Sequence, residues 1–446
     1  MMPPISGNDE LSEYTSGRFL FNEELRLAER RIHFDMNALA RAACHSGGFN
    51  CVLQITFKDG YAVLARLPYK TTVPTRYAVA SEPATLALLR AHGAPVPKVL
   101  TYSPYQTNAV GTEYIILEKH EGIPLRGEWF SMDTKTRSRF MSINFLASGS
   151  LYHRHDLDNS HRVIPVSDDI VVGPTAQHEW WYQERAALEV DRGPWNTFSA
   201  CFEAPAKRKI EFCKRFGKPR LHVQRYLREL HQFHRQSSIP YQHLLAKYLK
   251  LAPYPDVPAG HRMPRPTLRH PDFSLNNILV NTSSDVVGII DWQHVVILPL
   301  CLCAEIPNHF QNLGDPLPEE QKTVRETMRR RIVHFYYAAL TMKSLPDHFT
   351  MSQVLKNWPM SLNEGAQTTS VECPVHLSEE EIQKCSEDYH QEQEKLQELG
   401  EMRDLIGTDA LGWVPDEAEL ETHSSTEMEK TAIISHFPFD DHEENT

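Results

Sequence analysis

The sequence predicts an α+β protein with two lobes: a small N-terminal lobe built on an antiparallel sheet and a larger, mainly helical C-terminal lobe. The first lobe is predicted from two β-forming runs around Asp59-Gly60, a strong turn signal, which indicate a hairpin over residues 49–67. The second lobe is predicted from residues 126–260, whose pattern is mostly helical, with breaks at glycine and proline and few strand signals. We place the boundary between the lobes near residues 122–126.

Length and composition restrict the class of protein. The 446 residues allow two or three compact units at roughly 150 residues per domain. A hydrophobic content of 41% and a charged content of 23% are typical of a soluble globular protein. The longest nearly apolar run, residues 295–304, is much shorter than the roughly 20 residues of a spanning helix, so we expect no membrane insertion. Eight irregularly spaced cysteines give no disulfide framework, which favours a reducing, intracellular compartment.

The net charge of −12 is concentrated in the C-terminal part of the chain. Residues 371–446 contain 22 Asp or Glu against 4 Lys or Arg, so the rest of the chain is mildly basic. That small excess is too diffuse for a nucleic-acid surface, and we expect no nucleic-acid partner. The first 13 residues contain three acidic side chains and no basic one, so no transit peptide can be read there.

Local signals give the order of the elements around the hairpin. Residues 23–43 carry an amphipathic pattern that predicts one or two short helices ahead of the lobe. After the hairpin, a helical pattern starts near Glu82 and ends at Gly93. Because proline lacks a backbone N–H, we expect Pro83 to lie in the first turn of that helix. A further strand is expected over residues 112–118.

These signals divide the chain into four segments. In the acidic tail, Ser378 and Glu381 form a capping box that predicts the start of a helix. The expected segments are an N-terminal helical extension (1–46), an N-terminal lobe (47–125), a C-terminal lobe (126–370) and an acidic C-terminal helix and tail (371–446).

The segment LRHPDFSLNNILVNTSSDVVGIIDWQ carries the clearest chemical signal. Two short β-forming runs, 278–280 and 286–290, are separated by polar residues and predict a tight antiparallel hairpin. Such a hairpin brings Asn277, before its first strand, beside Asp291, after its second, with Asp272 on the loop that feeds the same end. Two carboxylates and an amide oxygen form a set that suits Mg²⁺ with phosphates better than zinc. Asp and Asn also occur in loops as local caps, but all three in this order favour a functional site.

The spacing of these residues resembles a known superfamily. His270-x-Asp272-x-x-x-x-Asn277, followed by Ile-Ile-Asp291, is similar to the catalytic and metal loops of the aminoglycoside phosphotransferase and choline kinase group, a branch of the protein-kinase-like fold. More narrowly, several blocks resemble the fungal phosphotransferase-like proteins called altered inheritance of mitochondria protein nine. The blocks are YTSGRFLFNEELRLAERRIHFD (14–35), GGFN (47–50), GSLY (149–152), RGPW (192–195), LRHPDFSLNNILV (268–280), GIIDWQH (288–294) and GWVPDE (412–417).

The resemblance implies a role for each residue of the catalytic block. Asp272 would orient the acceptor hydroxyl and could deprotonate it, while Asn277 and Asp291 would hold Mg²⁺ against the phosphates of ATP. His270 would pack and hydrogen-bond to support the catalytic loop. Phosphoryl transfer asks a protein mainly for positioning and charge neutralisation, which these groups can supply.

In the N-terminal lobe, the resemblance implies a nucleotide-binding set. Arg66 occupies the strand position where kinases place a phosphate-contacting lysine, and Glu82 resembles its acidic partner. Gly47 and Gly48 resemble a shortened loop that covers the phosphates, although a glycine pair before a strand is usually just a turn. Residues 115–122 should form the hinge that contacts adenine through backbone groups. Arginine in place of lysine changes the reach and geometry of the cation.

The implied function is an ATP- and Mg²⁺-dependent phosphotransferase acting on a hydroxyl of a small molecule, with a bilobal protein-kinase-like fold. A kinase-like nucleotide-binding scaffold with little or no catalysis, linked to mitochondrial maintenance, is the alternative that Arg66 and the poor glycine loop favour. A third reading is a partner-binding protein that acts through its acidic tail. The resemblance implies a mitochondrial location, and the cytoplasm is the alternative.

Tryptophan is the last residue type that could mark a site. Trp180, Trp181, Trp195 and Trp292 could form an aromatic cage for a quaternary ammonium acceptor such as choline. Core packing is the more common role of large aromatic residues, and we expect it for most of these.

Overall fold

A computed structural model describes most of both expected lobes. It covers residues 17–19, 42–46, 50–57, 59–125, 143–219, 221, 228, 232–252, 264–274, 276–283, 285–303 and 413–415, with isolated helical positions at 24, 28, 380, 383, 387, 391, 394, 395 and 398. The expected Gly47-Gly48 loop and the capping box of the acidic tail lie outside the described residues.

The described elements alternate short strands with a few helices. The strands are β1 (Gly17–Phe19), β2 (Ala42–Ser46), β3 (Asn50–Thr56), β4 (Ala62–Pro68), β5 (Val99–Ser103), β6 (Tyr114–Glu118), β7 (Ile123–Pro124), β8 (Ser150–His153), β9 (Ile164–Pro165), β10 (Ile170–Gly173), β11 (Pro266–Arg269), β12 (Ile278–Val280), β13 (Val286–Ile289), β14 (Val296–Pro299) and β15 (Trp413–Pro415). The α-helices are α1 (Thr75–Ala91), α2 (Phe198–Phe216), α3 (Ser238–Leu251) and α4 (Leu300–Cys303).

The N-terminal lobe is a five-stranded antiparallel sheet in the order β2-β3-β4-β6-β5. The expected hairpin is present as β3 and β4, which pair from Asn50 with Pro68 to Thr56 with Ala62. Gly60 lies in its turn with a φ of +87°, a conformation that L-residues rarely adopt. Strand β2 pairs with β3, so the sheet already begins at residue 42, within the segment expected to be a helical extension.

Helix α1 begins earlier than the sequence predicts. It starts at Thr75, so Glu82 and Pro83 lie in its middle, and the expectation that Pro83 occupies the first turn is wrong. An interior proline removes a hydrogen bond and costs about 3 kcal/mol or more in an isolated helix. Here α1 is buried without interruption from Ala78 to Leu86, and this burial stabilises the helix against that cost.

The described part of the C-terminal lobe contains more strand than expected. Helices α2 and α3 pack on one another, but β8, β10 and β9 form a three-stranded antiparallel sheet within a region predicted to have few strands. These strands have only two to four residues each, and β8 and β10 are almost entirely buried. Strands this short and this buried show no alternating pattern, which explains why the sequence does not reveal them.

The second predicted hairpin is present and joins the lobes. Strands β12 and β13 are antiparallel, with Ile278 opposite Ile289. Strand β7, which leaves the N-terminal lobe, pairs with the other edge of β12. One buried hydrophobic cluster includes Leu89 of α1, Leu117 of β6 and Val280 of β12, so the two lobes share a core. The predicted α+β class, with an antiparallel sheet in the N-terminal lobe, is confirmed.

None of the helices that the structure describes combines the length and apolar character needed to span a bilayer.

Candidate active site

The β12–β13 hairpin brings the expected metal ligands side by side. Asn277 precedes β12 and Asp291 follows β13, and the backbone N–H of Ile290 donates to the carbonyl oxygen of Asn277 at 2.9 Å. Asp291 has a φ of +65°, a left-handed conformation that is uncommon for residues other than glycine. Its side chain is 49% exposed. Local hairpin geometry, rather than distant packing, positions this pair.

Asp272 joins the same end through Asn277. The side-chain nitrogen of Asn277 donates to Asp272 Oδ2 at 3.0 Å and to the Asp272 carbonyl oxygen at 2.9 Å. Both of these bonds use the amide nitrogen, so they leave the amide oxygen of Asn277 available for a cation. Asp272 is exposed, so an acceptor can approach its carboxylate.

His270 hydrogen-bonds to the backbone on both sides of the hairpin end, next to Asp291 and at Asp272. Its Nε2 donates to the carbonyl oxygen of Ile290 at 2.8 Å, and its Nδ1 accepts from the backbone N–H of Asp272 at 3.2 Å. These partners require the neutral Nε2–H tautomer, since a carbonyl oxygen can only accept and an N–H can only donate. The residue is 2% exposed, and burial lowers the pKa of His270. Its ring packs edge-on against Trp292 at 4.5 Å between centroids.

Arg66 faces the hairpin from strand β4. Its Nη1 donates to Glu82 Oε1 at 2.6 Å, and its Nη2 donates to Asp291 Oδ1 at 3.2 Å. Burial by itself would lower the pKa of Arg66, but the carboxylates of Glu82 and Asp291 raise it by more. The pKa of Arg66 therefore lies above its ordinary value, and the guanidinium stays charged. Burial raises the pKa of Glu82, and Arg66 opposes that rise. The expected Arg66–Glu82 pairing is thus present, with Glu82 in the middle of α1.

Two further polar residues complete this group, and sequence reasoning assigned neither of them a role. Gln293 Oε1 accepts from Arg66 Nη2 at 3.0 Å and from Asn50 Nδ2 at 2.7 Å. Both Gln293 and Asn50 are 8% exposed. Gln293 lies in a turn after β13 and not in a strand, so no strand periodicity in the sequence predicts its place beside Arg66.

A cavity of about 350 Å³ lies between the sheet and the hairpin, within the size range of small-molecule sites. One part of its wall is apolar and the other holds Arg66, Glu82 and Asp291, so it suits a ligand with an apolar ring and an anionic end that binds together with a cation. Part of the expected hinge, Leu117 to His120, contributes to the wall. The lining residues are Asn50, Val52, Leu64, Arg66, Glu82, Leu86, Pro97, Leu117, Glu118, Lys119, His120, Asn277, Leu279, Ile290, Asp291 and Gln293.

Gly288 on β13 lets the hinge approach the hairpin. A Cβ at this position would lie 3.3 Å from Cγ and Nδ1 of His120, tighter than ordinary contact. An alanine here would require the His120 ring to shift by a few tenths of an ångström, so glycine allows the close approach of the hinge to the hairpin.

The donor set fits Mg²⁺ held together with phosphates. Asn277 and Asp291 offer only oxygen atoms, and Mg²⁺ commonly binds one or two protein carboxylates and takes its other ligands from water and phosphate. In the described ranges, no group of three or more His, Cys, Asp or Glu side chains could hold a metal ion by itself.

The tryptophans do not form a cage for a cationic acceptor. Trp180, Trp195 and Trp292 are buried, as expected for core residues. The guanidinium of Arg208 lies 4.3 Å from the ring centroid of Trp180, and that of Arg192 lies 4.0 Å from the centroid of Trp181. The protein's own cations therefore already contact these two rings.

Comparison with solved structures gives distant similarities. The chain resembles an ethanolamine kinase of Plasmodium vivax, with a TM-score of 0.35 and 12% identity over 75% of this chain and 79% of that chain. It also resembles a putative fructosamine-3-kinase from Thermobifida fusca, with a TM-score of 0.32 and 13% identity over 73% and 94% of the two chains.

Comparison with curated sequences gives fungal relatives, whereas no protein-family model matches the chain. Altered inheritance of mitochondria protein 9 of Clavispora lusitaniae is 23% identical over 59% of this chain and 49% of that protein. The homologue from Kluyveromyces lactis is 20% identical over 80% and 71%. Two Aspergillus fumigatus sequences, each named a subtelomeric hrmA-associated cluster protein, are 30% identical over 464 aligned residues, which is 84% of this chain and 89% of each relative. The chain belongs to the same family as these Aspergillus fumigatus proteins.

Proposed function

We propose that the chain is an ATP- and Mg²⁺-dependent phosphotransferase that acts on a hydroxyl group of a small molecule. The observation that carries this proposal is the hairpin end, where Asp272, Asn277 and Ile290, the residue before Asp291, form one hydrogen-bonded unit. Asn277 and Asp291 also line a cavity of about 350 Å³ whose other wall holds a buried cation, Arg66. A nucleotide with an apolar base and an anionic tail is complementary to such a cavity.

In this proposal Asp272 receives the acceptor. Its exposed carboxylate binds the hydroxyl group, orients it and accepts its proton as the oxygen bonds to the terminal phosphorus of ATP. The bond from that phosphorus to the bridging oxygen breaks, and ADP leaves. Asn277 holds one carboxylate oxygen of Asp272 in place through its amide nitrogen. His270 fixes the backbone at the same point, which is a supporting role and not a catalytic one.

The nucleotide is proposed to lie between the lobes. Asn277 and Asp291 would hold Mg²⁺, which neutralises charge on the phosphates when it is bound. Arg66, oriented by Glu82, would face the phosphates, and Gly47 and Gly48 would cover them. Residues 115–122 would contact the base through backbone groups. Residues 47–125 would therefore bind the nucleotide and residues 126–370 would bind the acceptor.

A nucleotide-binding scaffold with little catalysis is the second candidate. It is favoured by the ion pair between Arg66 and Asp291, because a guanidinium then neutralises one of the two proposed metal ligands. The substitution Asp272→Asn separates the two candidates. An enzyme loses its cellular function with this change, whereas a scaffold complements a deletion strain equally well with either residue.

We propose that the protein resides in mitochondria, because several relatives carry the word mitochondrial in their names. The cytoplasm is the alternative. Imaging of the full-length protein with a C-terminal fluorescent tag distinguishes the two, and a diffuse cytoplasmic signal would overturn the mitochondrial location.

The direct test combines binding and turnover. The unfolding temperature of the purified full-length protein is measured with ATP, with Mg²⁺ and with both. In a separate assay, ATP consumption is measured with each member of a panel of small-molecule alcohols. We expect a thermal shift that requires both ligands and turnover with at least one acceptor, with Asp272→Asn as the matched control that keeps the shift and loses turnover. A protein with no Mg-ATP-dependent shift and no turnover would rule out the proposed function.

A further inference from the structure

We propose that Gln293 is a positioning residue for the arginine at position 66, because its side-chain oxygen accepts hydrogen bonds from both Arg66 and Asn50. We call these three residues the clasp. Their two hydrogen bonds join β3, β4 and the segment after β13, and they connect residues 227 and 243 positions apart. The expected effect on nucleotide binding rests on the proposed function, whereas the arrangement of the three residues rests only on the two hydrogen bonds.

The orientation of Gln293 follows from its arginine partner. A guanidinium has donors only, so the side-chain oxygen of Gln293, and not its nitrogen, must face Arg66. The same oxygen then needs Asn50 to present its amide nitrogen, which is the arrangement observed at 2.7 Å. The two lone pairs of one carbonyl oxygen are thus both used, and the amide orientations of both residues are determined.

An arginine at this strand position requires more hydrogen-bond acceptors in fixed places than a lysine does. A lysine ammonium is a compact group with three rotatable donors, which can turn towards whichever acceptors are present. A guanidinium is a rigid planar fork with five donors, and here its side chain is only 11% exposed. Nη1 is used by Glu82, and Nη2 is shared between Asp291 and Gln293. Gln293 supplies the additional acceptor that the buried fork requires.

A neutral acceptor suits this place better than a third acid. Arg66, Glu82 and Asp291 together carry one net negative charge when both acids are ionised. A glutamate at position 293 would add another negative charge beside the proposed phosphate site and would compete with Asp291 for the guanidinium. Nη2 has two N–H groups and Gln293 accepts from one of them, so Nη2 directs only the other at Asp291, whose carboxylate keeps acceptor sites for a cation.

The clasp therefore positions Arg66 relative to Asp291. Nη2 of Arg66 has two described acceptors, Asp291 and Gln293. Without Gln293, only Asp291 would remain of these two, and we expect the ion pair between Arg66 and Asp291 to tighten. A tighter pair weakens the proposed metal site and moves the guanidinium away from the phosphates. The expected consequence is weaker binding of a metal-bound nucleotide.

A double-mutant cycle tests this inference. The four full-length proteins are the wild type, Gln293→Met, Arg66→Lys and the double variant, where methionine matches glutamine in length but offers no comparable acceptor. Affinity for ADP with excess Mg²⁺ is measured by calorimetry, and the unfolding temperature is measured without nucleotide. We expect Gln293→Met to weaken ADP binding about tenfold in the wild-type background and less than about threefold in the Arg66→Lys background. Gln54→Leu, a change at a glutamine on the same strand as Asn50 but outside the cavity wall, is the matched control.

The outcomes separate this inference from the proposed function. Equal losses in both backgrounds, or no loss in either, would overturn the role of Gln293. If the wild type binds no Mg-ADP, the proposed function fails, while the unfolding temperatures of the same four proteins still reveal whether residues 66 and 293 are coupled. If Gln293→Met does not fold, Asn50→Leu replaces it in the cycle, because this change removes the other hydrogen bond of the clasp. Coupling in the unfolding temperature supports the clasp, and its absence overturns it.

Discussion

The two walls of the cavity are held in different ways. On the hairpin side, His270, Asp272 and Asn277 lie within eight residues of one another, and backbone groups take part in most of their hydrogen bonds. On the strand side, Arg66 and Gln293 lie far apart in the chain and meet through side-chain contacts alone. The first wall is a local structure, whereas the second exists only because the lobes pack together.

This difference predicts that substitutions on the two sides of the cavity change different properties of the protein. On the hairpin side, a functional atom can change while the backbone bonds remain, so a variant should keep its fold and lose a chemical step. On the strand side, Arg66 and Glu82 are buried ions, and removing either of them weakens the compensation of the other's charge. We therefore expect hairpin variants to affect turnover and strand variants to affect unfolding.

The largest expected effect is that of Asp272→Asn. We expect turnover to fall about a thousandfold, since the amide can orient the acceptor but cannot accept its proton. Nucleotide affinity and unfolding temperature should stay near the wild-type values. Steady-state kinetics and a thermal melt check both parts, and a large loss of stability would contradict the local character of this wall.

The next effect is that of Glu82→Gln on stability. Glu82 is 3% exposed and lies 2.6 Å from Arg66, so this change leaves a buried guanidinium with a weaker partner. We expect the free energy of unfolding to fall by about 1.5–3 kcal/mol, the range for a lost hydrogen bond to a charged group, because Asp291 still compensates part of the guanidinium charge. Urea denaturation measures it. A loss below about 1 kcal/mol, the size of an exposed pair, would mean that the two walls do not differ in this respect.

Asp291 belongs to both walls and should show an intermediate effect. We expect Asp291→Asn to weaken ADP binding about tenfold in Mg²⁺, because the residue loses one charge towards the cation. In EDTA the variant and the wild type should bind ADP with similar affinity. Calorimetry under both conditions checks this prediction, and an equal loss without metal would assign Asp291 to the ion pair only.

The smallest expected effect concerns pH. The folded-state pKa of His270 is lowered by burial, so the unfolded chain binds more protons than the folded one below about pH 6.5. Stability should therefore fall as the pH drops below that value, by at most about 1.4 kcal/mol per pH unit for this residue. His178 and His294 also have pKa values lowered by burial and act in the same direction.

Comparing His270→Gln with the wild type isolates the contribution of His270. Urea unfolding between pH 7 and 5 should show a shallower pH dependence in the variant, by up to one proton. In the folded protein, Nδ1 is protonated only below the lowered folded-state pKa, and this protonation removes the acceptor for the Asp272 backbone N–H. Turnover in the wild type should therefore fall only at a lower pH than the one at which stability begins to fall. An unchanged slope would contradict the neutral tautomer of His270.

Sequence reasoning succeeded where structure is local. The turn signal at Asp59-Gly60 and the polar break between β12 and β13 each predicted a hairpin that the structure contains. It failed where packing decides. Pro83 suggested a helix start, yet burial of α1 carries the helix through it. Asn50 and Gln293 lie inside motifs that were recognised, but nothing in a linear pattern shows that residues 243 apart share a hydrogen bond.

The sequence alone determined the hairpin end with Asp272, Asn277 and Asp291, because strand register and turn length bring neighbouring residues together whatever surrounds them. Only the tertiary structure decided how Arg66 is held, since that depends on which groups from distant segments are buried beside it. A buried guanidinium must find acceptors wherever the packed lobes supply them, and Glu82, Asp291 and Gln293 are the acceptors that this fold supplies.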